Sequence, residues 1–186
     1  MQYKLYAVRH GETQWNAENR VCGRTDLPLT PAGLRQAAHT AELLAGLPIE
    51  RIYSSPMLRA RQTAQAAADR LGLRVETDPR LTEQDYGVYE GLDRGCRDFL
   101  ANKRQFAYPY PKGESMFQTA QRIYNFLDER GREEKNILVV AHKGVIRILH
   151  TYFHPTTNDE FFHFSLDNCE IREYVFPAPE KSGGDC

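Results

Sequence analysis

The sequence predicts a layered α/β fold whose central sheet is largely parallel. Short apolar runs at 5–8, 49–54 and 137–141 recur along the chain. Between them lie longer segments whose apolar residues return at helical spacing. Strands therefore alternate with helices, which is the pattern of a layered domain built on parallel strands.

Each element has its own signal. Leu5-Tyr6-Ala7-Val8 forms the first strand and runs into Arg9, His10 and Gly11. Gly11 permits a sharp turn or a close backbone approach, with its amide available to an anion. Residues 13–28 lack periodicity and read as a long surface loop. Thr30 then suits an N-cap and Pro31 a first helical position, with Leu34, Ala37, Ala38, Ala41 and Leu44 as an apolar stripe to about Gly46. A strand at 49–54 leads to Pro56, which opens a second helix ending at Gly72. A short strand at 73–76 and a loop at 79–90 follow. A short helix within 93–104 precedes an aromatic, Pro-rich stretch containing Phe106, Tyr108 and Tyr110. Gly113-Glu114-Ser115 introduces a helix to about Gly131. The run at 137–141 ends in His142-Lys143-Gly144, and a helix follows from Val145 to about Tyr152. A last strand lies within 166–176.

With 186 residues, the chain reads as one domain over 1–176 and a disordered polar tail over 177–186. The 41% apolar and 26% charged residues are ordinary for a soluble protein, and a net charge of −1 gives no basic field for nucleic acid or membrane. No apolar run approaches the roughly 20 residues of a membrane span, and no signal peptide is expected before the first strand. Cys22, Cys96, Cys169 and Cys186 are too scattered for a CxxC pair or a zinc ribbon, so reduced thiols in a cytoplasmic protein are expected.

The chemistry gathers at strand ends. Two apolar strands finish alike, in Arg9-His10-Gly11 and in His142-Lys143-Gly144. If these strands are parallel neighbours, His10 and His142 emerge side by side at the sheet edge where α/β folds place their sites. Arg59 falls in the first turn of the helix after a third strand, where the helix dipole disfavours a cation by roughly 0.3–1 kcal/mol unless an anion binds there. Either a plain surface arginine or an anion site fits that position. Arg9, Arg59, His10, His142 and Lys143 together suit a phosphomonoester dianion. There is no GxxxxGK[ST] loop, no HExxH and no Asp cluster, so neither nucleotide-type cradling nor a metal or other cofactor is expected. A histidine nucleophile is the remaining covalent route.

These motifs resemble the histidine phosphatase superfamily, the phosphoglycerate-mutase-like group. The resemblance rests on Arg9-His10-Gly11-Glu12-Thr13, Trp15-Asn16, Arg20, Gly23, Ser54-Ser55-Pro56, Arg59, Glu83, Tyr86-Gly87, Gly113-Glu114-Ser115 and His142 with Gly144, in order over 3–150. It implies a three-layer sandwich and a phosphoryl transfer through phosphohistidine at His10. Arg9, Arg59 and His142 would hold phosphate oxygens, with Asn16 and Gly23 at further substrate positions. Glu83 would protonate the leaving alcohol and then activate water. The sequence departs from the family at Cys22, where glutamine is common, at Tyr89, where tryptophan is common, and at Lys143, where glycine is frequent. Lys143 either points into the pocket, favouring a multiply anionic substrate, or faces solvent. Cys22 at a pocket edge could sense oxidation.

A phosphatase acting on a small phosphorylated metabolite is the expected activity, as a monomer or homodimer. A cofactor-dependent phosphoglycerate mutase is the alternative, and a non-catalytic module of the same fold is a third. True mutases carry a longer insertion between the positions of Glu83 and His142; here that stretch is compact. Its aromatic residues form either an open pocket mouth or plain core.

Overall fold

The computed structural model describes residues 2–177, so the expected disordered tail, apart from Pro177, lies outside the described residues. Five strands form one sheet: β1 (Lys4–Arg9), β2 (Arg51–Ser54), β3 (Val75–Thr77), β4 (Ile137–Ala141) and β5 (Ile171–Val175). Their spatial order is β3-β2-β4-β1-β5. β1, β2, β3 and β4 are parallel, and β5 adds antiparallel to the β1 edge.

Alternating side chains explain the layers. Leu5, Ala7, Ile137, Val139 and Ala141 face helices α5 (Met116–Gly131), α6 (Lys143–Phe153) and α7 (Asn158–His163). Tyr6, Val8, Leu138 and Val140 face the opposite way, against α2 (Pro31–Leu44) and α3 (Leu58–Leu71). Both faces of β1 and β4 are covered, so Leu5–Val8 and Ile137–Ala141 read as unbroken apolar runs. The expected three-layer sandwich is what forms.

Several boundaries differ from expectation for identifiable reasons. α1 (Gln14–Ala17) lies inside the expected loop; it is a single turn, closed by reciprocal bonds between Thr13 and Asn16, too short to show periodicity. α7 is a further unexpected helix, though Thr157-Asn158-Asp159-Glu160 carries a capping-box signature. α3 starts at Leu58 rather than Pro56, because the Leu58 amide is capped by Asp26 Oδ1 at 2.7 Å. α6 starts at Lys143 rather than Val145, because a distant carboxylate caps it, as described below. β5 is shorter than the run at 166–176: residues before Ile171 turn under β1, where the Cys169 amide donates to the Arg9 carbonyl at 2.9 Å.

Gly11 and Gly33 let the loop after β1 lie directly on the start of α2. A Cβ at Gly33 would stand 2.2 Å from the Glu12 carbonyl oxygen, and one at Gly11 2.6 Å from the Gly33 oxygen. Both obstacles are backbone and cannot swing aside. Gly33→Ala should therefore destabilise the fold by about 1–3 kcal/mol. Urea unfolding checks this, and an unchanged midpoint would contradict it.

Candidate active site

The β1–β4 pairing runs past the strand ends. Arg9 sits opposite Ala141, and the His10 amide donates to the Ala141 carbonyl at 2.9 Å. That register brings the His10 and His142 rings to 5.1 Å, inclined at 60°. Both rings are buried. His10 Nδ1 lies 2.7 Å from the Gly11 carbonyl oxygen, which can only accept. Nδ1 therefore carries the ring proton, and Nε2 keeps its lone pair. The Asn168 side-chain amide fixes the other side of this residue, donating to the His10 carbonyl at 2.8 Å.

Arg59 is fully buried. Its Nη1 and Nη2 donate to the carbonyls of Thr25 at 2.9 Å and Gly23 at 2.8 Å, and its Nε donates to His142 Nδ1 at 3.2 Å. The accepting Nδ1 assigns the proton of a neutral His142 to Nε2, which donates to Ser55 Oγ at 2.7 Å. Arg9 donates through Nη1 to the Leu166 carbonyl at 3.0 Å, while its buried Nε has no partner among the described residues. An arginine on the first turn of α3 is thus locked inside the protein, not displayed on its surface.

Burial, reinforced by Arg59 and then Arg9, holds the His10 pKa well below the usual imidazole range. Burial and Arg59 do the same to His142, with His10 adding to it. Burial lowers Arg9 to about 10, with Arg94 contributing. A neutral ring beside two fixed guanidinium groups is the state a nitrogen nucleophile needs.

Glu83 is buried across from these groups. Its Oε2 accepts from the Gly144 amide at 3.0 Å, in the first turn of α6, and its Oε1 from the Gln84 amide at 2.9 Å. This is the carboxylate that caps α6 and draws the helix start back to Lys143. A Cβ at 144 would stand 2.5 Å from Glu83 Oε1, so a larger residue there would have to displace the carboxylate. Gly23 is similarly closed in, with a Cβ meeting the Gln84 carbonyl oxygen at 2.4 Å.

Asn16 Oδ1 accepts from the Thr13 amide at 3.2 Å and from Asn168 Nδ2 at 3.3 Å. Two donors on one oxygen fix the amide's orientation. Gly11 differs from expectation, since its amide donates to Thr63 Oγ1 at 3.0 Å and does not face an anion. Lys143 lines a cavity that also includes Glu83, Gly144, Tyr86, Phe99 and Cys22. The cavity's aromatic wall is Tyr86 and Phe99. Of the aromatic stretch that reads as either a pocket mouth or plain core, Tyr110 is buried beside Phe99, Phe106 packs on the α5–α7 core and Tyr108 is exposed. Cys22 does border the cavity, but burial raises its thiol pKa, so it lacks the thiolate that a ready oxidation sensor needs. Ser55 and Asn168, which orient the two histidines, carry no local sequence signal of that role.

The pattern of the histidine phosphatase superfamily (branch 1) matches residues 5–181. The chain belongs to that superfamily. It is 32% identical over 187 residues to a Hydrogenobacter thermophilus protein named "Putative phosphoserine phosphatase 2", covering 96% of this chain and 92% of that one. It is 40% identical over 133 residues to a Yersinia pestis protein named "Probable phosphoglycerate mutase GpmB", covering 67% of this chain and 61% of that one. The structure of a mycobacterial glucosyl-3-phosphoglycerate phosphatase superposes with a TM-score of 0.83 at 26% identity, over 93% of this chain and 90% of that one. The fold brings His10, Arg9, Arg59, Glu83 and His142 close together at the ends of β1 and β4. Among the described residues, no group of three or more His, Cys, Asp or Glu side chains could hold a metal ion, and no helix is long and apolar enough to cross a membrane.

Two outcomes follow from this geometry. Gly144→Ala should push Glu83 from its two amides and lower kcat by about 10²-fold, in line with a displacement near 1 Å. Steady-state kinetics checks it, and a kcat near wild type would contradict it. The buried histidines also tie stability to pH. Each resists protonation when folded and accepts it freely when unfolded, so the unfolded chain binds more protons below about pH 6.5. Stability should fall as pH drops through that value, by about 1.4 kcal/mol per pH unit for each ring. Urea unfolding at about pH 7.5 and about pH 5.5 should show a flatter response in His10→Gln/His142→Gln than in wild type. Equal slopes would contradict the account.

Proposed function

We propose that the chain is a phosphatase that hydrolyses small phosphomonoesters through a phosphohistidine at His10. The observation that carries this reading is the His10 ring itself, buried and neutral, with Nδ1 anchored on the Gly11 carbonyl and Arg59 and Arg9 beside it. His10 Nε2 attacks phosphorus and the ester P–O bond breaks. Arg9 and Arg59 offset charge on the phosphoryl oxygens, with His142, Asn16 and Gly23 completing the phosphate pocket. A protonated Glu83 gives its proton to the leaving alcohol. Glu83, now ionised, takes a proton from water as the water oxygen bonds to phosphorus and the P–N bond breaks. Inorganic phosphate leaves, and His10 and Glu83 return to their starting states.

Hydrolysis is favoured over transfer to a second hydroxyl by the compact stretch between Glu83 and His142. Near full-length similarity to a relative named as a phosphatase supports the same choice, whereas the match to the named mutase spans 61% of that protein's length. The mutase reading keeps support from the higher identity of that shorter match. We also place the chain in the cytoplasm, a reading supported by Cys22, Cys96 and Cys169, which form no disulfide among the described residues.

His10→Ala should lower the release of inorganic phosphate from an aryl phosphate by roughly 10³-fold or more, and Glu83→Gln by about 10²–10⁴-fold on alkyl esters with poor leaving groups. Equal rates for wild type and His10→Ala would end the reading. Isomerisation of 3-phosphoglycerate faster than phosphate release would establish the mutase instead.

A further inference from the structure

The cavity beside Glu83 holds more positive charge than the phosphoryl site uses. Four of its lining side chains are cationic: Arg94, Lys103, Lys143 and Arg147. Glu83 is the single acid among the lining residues. No carboxylate lies within ion-pair distance of any of the four among the described residues.

Their backbone origins make a surplus of this kind unusual. Lys143 and Arg147 stand four residues apart on α6, so two like charges share one helix face. Lys103, in the last turn of α4 (Arg97–Lys103), and Arg94, just before that helix, come from the other wall. Arg147 is 5% exposed; its Nε donates to the Phe164 carbonyl at 3.0 Å, and among the described residues its guanidinium tip has no acceptor. Arg94 is anchored likewise, with Nε on the Arg20 carbonyl at 2.9 Å. These anchors aim two guanidinium groups, and among the described residues neither lysine amine is tied to a protein acceptor. Burial and mutual repulsion lower both Lys103 and Lys143 to about 8, with Arg147 acting on Lys103 and Arg9 on Lys143.

The direction of the cavity identifies what enters it. Glu83 must meet the oxygen of the leaving alcohol, and Glu83 is part of the cavity wall. The alcohol portion of the substrate therefore occupies this cavity, between Tyr86 and Phe99 and the four cations. We propose that Arg94, Lys103, Lys143 and Arg147 form a second anion subsite, which selects phosphomonoesters whose alcohol portion bears its own carboxylate or phosphate. This assignment rests on the phosphatase reading, in which Glu83 serves the leaving group.

The test compares kcat/KM for three probes that share a three-carbon skeleton. Glycerol 3-phosphate carries no second anion, 3-phosphoglycerate carries a carboxylate in place of its terminal alcohol, and glycerol 1,3-bisphosphate carries a second phosphate. Wild type should favour at least one of the two acidic probes over glycerol 3-phosphate by about tenfold or more, and the favoured arm identifies carboxylate or phosphate as the recognised group. Lys103→Met should reduce that preference by roughly tenfold, and Lys103→Arg should retain it. Added salt gives a second readout that needs no variant: it should lower kcat/KM more steeply for the preferred acidic probe than for glycerol 3-phosphate. Equal kcat/KM for all three probes, or a parallel loss on all three in Lys103→Met with equal salt slopes in wild type, would overturn the subsite. The phosphatase reading fails separately, if His10→Ala hydrolyses glycerol 3-phosphate as fast as wild type.

Discussion

The site depends on how β1 lies against β4. Parallel strands with Arg9 opposite Ala141 leave one further backbone bond, from the His10 amide to the Ala141 carbonyl, and then both chains turn away. The two histidines thus occupy equivalent steps just past equivalent strand ends. A slip of one residue would send one ring toward α2 and α3 and the other toward α5 and α6, because side chains alternate across the sheet. The apolar residues that fill both faces of β1 and β4 forbid that slip. Core packing therefore sets the distance between the two imidazoles.

Around that pair the protein places charges where burial alone would expel them. A fully buried guanidinium is costly unless its donors are met. Arg59 is met by the carbonyls of Gly23 and Thr25 and by His142, so the loop before α2 is part of the arginine's cage. Glu83 is met by the Gly144 amide at the head of α6 and by the amide of its neighbour Gln84. The two helices whose N-termini border the site are capped by side chains distant in sequence, Asp26 for α3 and Glu83 for α6. Loop, helix and buried charged groups thereby hold each other in place. Among the described residues, the buried Arg9 Nε has no acceptor.

Much of this was legible in the sequence, because the strongest signals are local. Apolar runs ending in His10-Gly11 and His142-Lys143-Gly144 named the sheet edge, and Thr30-Pro31 named the start of α2. The antiparallel β5 was not legible as such, since strand direction depends on where the chain returns and not on the strand's own residues. The roles of Ser55 and Asn168 were invisible for a related reason: each acts across more than 80 residues of sequence through one hydrogen bond. Arg94, Lys103 and Arg147 share no local pattern in the sequence, and only the folding of α4 toward α6 makes them neighbours. Gly11 shows the opposite limit. Its need for close approach was readable, but its amide's partner, Thr63, was not.

The central claim is that His10 Nε2 carries phosphorus during turnover. Rapid quenching of the enzyme with substrate into alkali, followed by peptide mass spectrometry and phosphorus NMR, locates an acid-labile phosphoryl group directly. The account predicts phosphate on His10, bonded to Nε2, at a level that rises and decays within one turnover. Phosphate on His142, on Nδ1 of His10, or on neither histidine while hydrolysis proceeds would contradict it.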